Sequence, residues 1–137
     1  MTLTRRTIVA YMPAVLLTAG IAVVSLWENP QLPKEMQASD KVLHGLMYMC
    51  LAIAWMIPFL HKGTARLRTY GFVLVSVTAY GALMEVLQHF CTLTRSGEMA
   101  DVYADLIGAL AGLILVGAVV VVLKIVNRKS PHRKSSL

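Results

Sequence analysis

An all-α membrane protein of four antiparallel transmembrane helices is the fold class this sequence predicts, and three observations predict it. Of the 137 residues, 57% are hydrophobic and 15% are charged, where a water-soluble domain usually carries about 25% charged residues. The apolar residues gather into four stretches, each close to the roughly 20 helical residues that a bilayer crossing requires. Short polar connections separate these stretches, so consecutive helices are expected to pack antiparallel. Strands of the same continuity would leave backbone groups unpaired in lipid, which excludes a sheet. The length suits one domain. We read residues 1–126 as that domain and Asn127–Leu137 as a flexible, basic cytoplasmic tail.

The first span, Ile8–Leu26, follows Arg5 and Arg6 and so begins like a signal peptide. Its apolar run exceeds the usual length of about 7–15 residues, and no small-x-small cleavage site follows. A retained helix is therefore predicted, leaving the membrane near Trp27, with Tyr11 and Tyr70 suited to the opposite interface. The second span, Val42–Leu60, is headed by Asp40 and Lys41. The third, Thr69–Cys91, carries Glu85, Gln88 and His89 near its end, and the fourth, Val102–Val126, opens beside Asp101 and Asp105. Cys50 and Cys91 stand at different depths and form no Cys-x-x-Cys motif, so both are expected to pack as small hydrophobes.

Charge fixes the orientation. Arg5, Arg6, Lys62, Arg66, Arg68, Lys124, Arg128, Lys129, Arg133 and Lys134 fall on one side of the four spans, against Lys34, Lys41 and Arg95 on the other. The positive-inside rule then places the N- and C-termini and the middle loop of this multi-pass chain in the cytoplasm. Glu28, Glu35, Asp40, Glu85, Glu98, Asp101 and Asp105 all belong to the outer half. Acids contribute little to topology, so their segregation points to function. The basic excess behind the net charge of +6 is read first as topological anchoring, with attraction of the tail to anionic lipid headgroups as the alternative. Nucleic acid is not an expected partner, because the basic residues lack aromatic interleaving or a recognition fold.

The outer residues fall on faces. At about 100° per residue, Asp40, Lys41, His44 and Tyr48 share one arc of the second helix. Glu85, Gln88 and His89 follow the i, i+3, i+4 rule on the third. Asp101 and Asp105 share a face with Gly108 and Gly112 on the fourth, while Arg95 and Glu98 stand in the loop before it. Ionisable groups at membrane depth face the bundle interior or a wet cavity, and Glu85 and Asp105 are expected to do so. The Gly108-x-x-x-Gly112 spacing can serve a helix dimer. Its sharing a face with two inward-looking acids favours packing within the bundle.

This constellation resembles the VanZ-like family of small bacterial membrane proteins. The resemblance runs from Asp40-Lys41-x-x-His44-x-x-x-Tyr48, through Glu85-x-x-Gln88 and Arg95, to Asp101-x-x-x-Asp105-x-x-Gly108-x-x-x-Gly112. Ser96–Ala100 between Arg95 and Asp101, and His89 beside Gln88, depart from the compact family pattern. The family takes its name from a glycopeptide-resistance determinant associated with reduced teicoplanin susceptibility. The resemblance thus implies a role in the cell envelope and names no reaction.

Three readings of the cluster stand beside one another. In the first, an outward-facing polar pocket of Asp40, Lys41, His44, Tyr48, Glu85, Gln88, Arg95, Asp101 and Asp105 binds an envelope lipid or peptidoglycan-precursor headgroup. Lys41 and Arg95 would then meet a phosphate. In the second, the cluster is a hydrolase or phosphatase-type centre, with His44, Glu85 or Asp105 as its candidate catalytic groups and Arg95 facing developing charge. That second reading also admits a divalent metal, as magnesium or calcium on Asp101, Asp105 and Glu85 or as zinc on His44 and His89 with a carboxylate, though no cofactor is predicted outright. In the third, the network locks helix ends through Lys41–Glu85 and Arg95–Asp101 pairs. A small multidrug exporter is disfavoured, because Ile8–Leu26 holds no acid. The sequence leaves the oligomeric state open.

Overall fold

The computed structural model describes residues 5–27, 37–92 and 98–129. They form four helices, α1 (Arg5–Leu26), α2 (Gln37–His61), α3 (Leu67–Cys91) and α4 (Met99–Lys129), with no strand among the described residues. Each helix is long and apolar enough to cross a membrane. The helices overrun the apolar stretches, since polar residues prolong them at little cost once the backbone is hydrogen-bonded inside lipid. Asp40 and Lys41 therefore lie on α2, and the first residues of the basic tail continue α4 as far as Lys129. The rest of that tail, with Arg133 and Lys134, lies outside the described residues.

Most of the bundle's outer surface is apolar. Leu67, Phe90, Ile114 and Val75 are 88%, 80%, 70% and 68% exposed. Such a surface would be a liability in water and is the expected one against acyl chains. Cys50 and Cys91 belong to it, since both are free and exposed. They stand outside the core, because a membrane helix buries its small residues only on the faces its neighbours cover.

Packing is uneven. α2 and α4 share the most extensive interface, α1 rests mainly on α2, and α3 closes against α4 and α2. The α2–α4 contact is made backbone to backbone. A Cβ on Gly108 would overlap the Gly45 carbonyl, and one on Gly112 would stand 2.6 Å from the Met49 carbonyl oxygen. Contacts advance together along both chains, so α2 and α4 run side by side in the same direction. The Gly108-x-x-x-Gly112 motif thus works inside the bundle. Its interior continues through Tyr48, Leu51, Met56, Val77, Ala109 and Leu113.

The other seams use side chains. Tyr80 donates its hydroxyl hydrogen to the Thr18 carbonyl at 2.6 Å, and Trp55 Nε1–H donates to Thr18 Oγ1 at 3.3 Å. Near the end of α1, Gln88 Nε2 donates to the Ser25 carbonyl at 3.0 Å. At the other end, Lys62 Nζ reaches the Tyr11 hydroxyl at 3.3 Å. The turn there is set by Gly63, whose φ of 66° is open to glycine without a Cβ clash. Its N–H closes on the Leu60 carbonyl and ends α2.

Candidate functional site

The starts of α2 and α4 and the end of α3 meet at one end of the bundle, and their polar residues form a graded column. Lys41 stands at the surface, donating from Nζ to Glu98 Oε2 at 2.9 Å and to Asp101 Oδ1 at 3.2 Å. The lysine and glutamate side chains are 37% and 47% exposed, whereas that of Asp101 is 10% exposed. A screened pair of this kind contributes at most about 1 kcal/mol. One helical turn deeper, His44 Nδ1 lies 3.2 Å from Asp105 Oδ1 and 4.0 Å from Glu85 Oε1. His44, Glu85 and Asp105 are all buried, Asp105 completely.

Each group is held by a different device. Glu85 is anchored through Oε2, which accepts the backbone N–H of Glu98 at 2.9 Å. Asp105 is seated against α3 at Gly81, where a Cβ would stand 2.5 Å from Asp105 Oδ2. The ring of His44 lies nearly parallel to that of Tyr48, with centroids 6.5 Å apart, and Tyr48 in turn leans on Tyr80. After these contacts, Glu85 Oε1 and Asp105 Oδ2 remain buried without a hydrogen-bond partner. Orphaned buried oxygens are uncommon in folded proteins and ask for a cause.

The column brings together most of the predicted site residues and sorts them. Lys41, His44, Tyr48, Glu85, Asp101 and Asp105 gather as described. Asp40 is half-buried at the head of α2, and Gln88 is buried but turned to α1 through Ser25. Lys41 takes Glu98 and Asp101 in place of the expected Glu85. His89 is exposed, with its ring edge-on to Phe90 at 5.1 Å, and is not brought to His44. The zinc set of His44 with His89 is therefore not assembled. Arg95 lies outside the described residues, as do Glu28, Lys34 and Glu35.

Sequence reasoning missed Gly45, Gly81 and the Ser25 carbonyl. Gly81 precedes Glu85 by one helical turn, so the i, i+4 rule applied to small residues was a usable signal. A backbone acceptor such as Ser25 gives none. An apolar cavity of about 230 Å³, lined by Thr18, Trp55, Phe72, Tyr80 and others, lies apart from the column and holds none of the predicted site residues.

His44, Glu85 and Asp105 each offer a donor atom within 4.8 Å of the others, as do Asp40, His44 and Asp101. Imidazole and carboxylates in this arrangement can bind a divalent ion, accept hydrogen bonds from a polar ligand, or move a proton.

No curated protein and no solved structure matches the chain. The sequence model of the VanZ/LLP1 family matches residues 4–122. That span takes in α1 as well as the Asp40–Gly112 segment that carries the resemblance. With four helices fit for a membrane and a match over most of its length, the chain belongs to the VanZ/LLP1 family.

Proposed function

We infer that this protein is a multi-pass component of the bacterial inner membrane, with both termini in the cytoplasm, whose polar column receives an envelope lipid or glycan-precursor headgroup from the outer side. The observation that carries this reading is the gradient of exposure, from the half-exposed Lys41–Glu98 pair to the fully buried Asp105. A polar path of this kind leads a ligand inward. A network meant only to tie helix ends would satisfy its own members, yet Glu85 Oε1 and Asp105 Oδ2 are left without donors.

The column's character narrows the ligand chemistry. Asp40, Glu85, Glu98, Asp101 and Asp105 outweigh Lys41 and His44, so it offers hydrogen-bond acceptors first. Hydroxyl or amino groups of a sugar or headgroup suit the carboxylates. A phosphate would be met at the surface by Lys41, released from Glu98 and Asp101, together with Arg95. The His44–Asp105 contact of 3.2 Å favours a second reading, in which Asp105 orients His44 as a general base.

Native mass spectrometry of the purified protein, with polyprenyl phosphate and phosphatidylethanolamine as probes, tests both readings. The wild type is expected to retain one of these lipids, and Lys41→Ala with Arg95→Ala to lower its occupancy at least about tenfold. Equal retention by the double variant would remove the binding reading. Hydrolysis of either probe, lost in His44→Ala, would instead establish the enzyme.

A further inference from the structure

We propose that His44, Glu85 and Asp105 form a binding site for a first-row divalent metal ion, of the kind zinc or manganese represents. This goes beyond headgroup binding and does not depend on it. Three helices each contribute one donor: α2 the imidazole, α3 and α4 a carboxylate oxygen. Their donor atoms lie within 4.8 Å of one another, and all three residues are buried. Ligands about 2.0–2.2 Å from a tetrahedral metal stand about 3.4 Å apart, so modest inward rotation of the side chains completes the geometry.

The second support is independent of the clustering. Glu85 and Asp105 are 6% and 0% exposed, and each keeps one buried oxygen that no hydrogen bond satisfies. The other oxygen of each is committed, to the Glu98 backbone N–H and to His44. Glu85 is thus oriented by one oxygen while the other stays available, as an outer partner orients a metal ligand, whereas the Asp105 Oδ1 contact with His44 Nδ1 is given up when that nitrogen ligates. Lys41 is taken by Glu98 and Asp101, so among the described residues the deeper pair of carboxylates has the His44 imidazole alone beside it. A divalent ion cancels two buried negative charges that are costly alone.

The donor set selects the ion. One imidazole with two carboxylates is softer than the all-oxygen cages of calcium or magnesium and harder than thiolate sites. To ligate through Nδ1, His44 gives up any hydrogen there, which passes to Nε2 by tautomer exchange or leaves as a released proton. Three protein ligands leave a coordination position open to water or to a ligand's oxygen. The alternative set of Asp40, His44 and Asp101 is the weaker choice, because Asp101 already accepts from Lys41.

The test is metal content. Full-length protein in detergent, stripped with chelator and re-equilibrated separately with zinc and manganese, is analysed by plasma mass spectrometry. About one ion per chain is expected for one of the two metals, with a rise in melting temperature. Glu85→Gln and Asp105→Asn should each lower occupancy at least about tenfold and abolish the thermal rise. His89→Ala, which removes an exposed imidazole at the same end, should keep both. Circular dichroism separates lost binding from lost fold, and the near-isosteric amides keep that comparison fair. Failure of both metals to bind a folded wild type, or equal binding by the two amide variants, overturns the site. Lipid retention by the metal-stripped protein reports separately on headgroup binding.

Discussion

Where α2 meets α4, two backbones touch: Gly108 sits on the Gly45 carbonyl and Gly112 on that of Met49. Where α1 meets α2 and α3, side chains of Tyr80, Trp55 and Gln88 reach across to Thr18 and Ser25. The two seams solve one problem differently. Lipid offers no hydrophobic drive for helix association, which leaves close packing and hydrogen bonding. Packing through glycine is all-or-none, because a backbone has no rotamer with which to yield. Hydrogen bonds across a seam are separable, each contributing about 0.6 kcal/mol on average in a membrane. The ionisable column is built on the rigid seam, which holds His44 opposite Asp105 as a tight site requires.

The largest effect is expected from breaking the rigid seam. Gly108→Leu forces a side chain into the Gly45 carbonyl, so α2 and α4 must separate. Overpacking a well-packed site costs about 1–3 kcal/mol, and more where the obstacle is backbone. We expect a loss of about 3 kcal/mol or more in reversible unfolding from micelles, together with loss of metal retention. A Gly108→Leu variant within about 1 kcal/mol of wild type would mean that the two helices do not meet there.

The α1 seam should respond gently. Tyr80→Phe deletes the hydrogen bond to the Thr18 carbonyl and retains the ring against Tyr48. The expected cost is about 0.6–1 kcal/mol, with metal and lipid retention unchanged. A cost as large as that of Gly108→Leu would show α1 to be part of the rigid frame.

These seams also explain which parts of the molecule the sequence made legible. The spans were readable because length and hydropathy alone determine them. The site faces were readable because polar residues stand out on apolar helices, as Asp40, Lys41, His44 and Tyr48 do. Their limits were harder to see. The buried stripe of α3 runs through Val73, Val77, Gly81, Met84, Glu85 and Gln88. At about 100° per residue, His89 falls roughly 40° beyond Glu85, off the edge of that stripe. In a soluble helix the apolar stripe would have located the edge. Here the lipid face is as apolar as the core, so hydropathy cannot distinguish them. The choice of Lys41 for Glu98 and Asp101 was hidden for another reason, since it depends on where a loop returns to α4.

A control on α4 sharpens the comparison through its small expected effect. Gly117 lies farther along the helix that carries Gly108 and Gly112, and a Cβ there would meet nothing within 4 Å. Gly117→Ala should therefore leave stability within about 0.5 kcal/mol of wild type. Any gain from alanine's helix propensity, up to about 1 kcal/mol in water, is muted where the lipid already enforces the helix. Near-neutrality would establish that glycine on α4 matters where another backbone lies against it and not for helix flexibility. A penalty comparable to that of Gly108→Leu would place a second close contact at Gly117. Nothing among the described residues supplies that contact, so the measurement to follow would be the oligomeric state of the wild type in the bilayer.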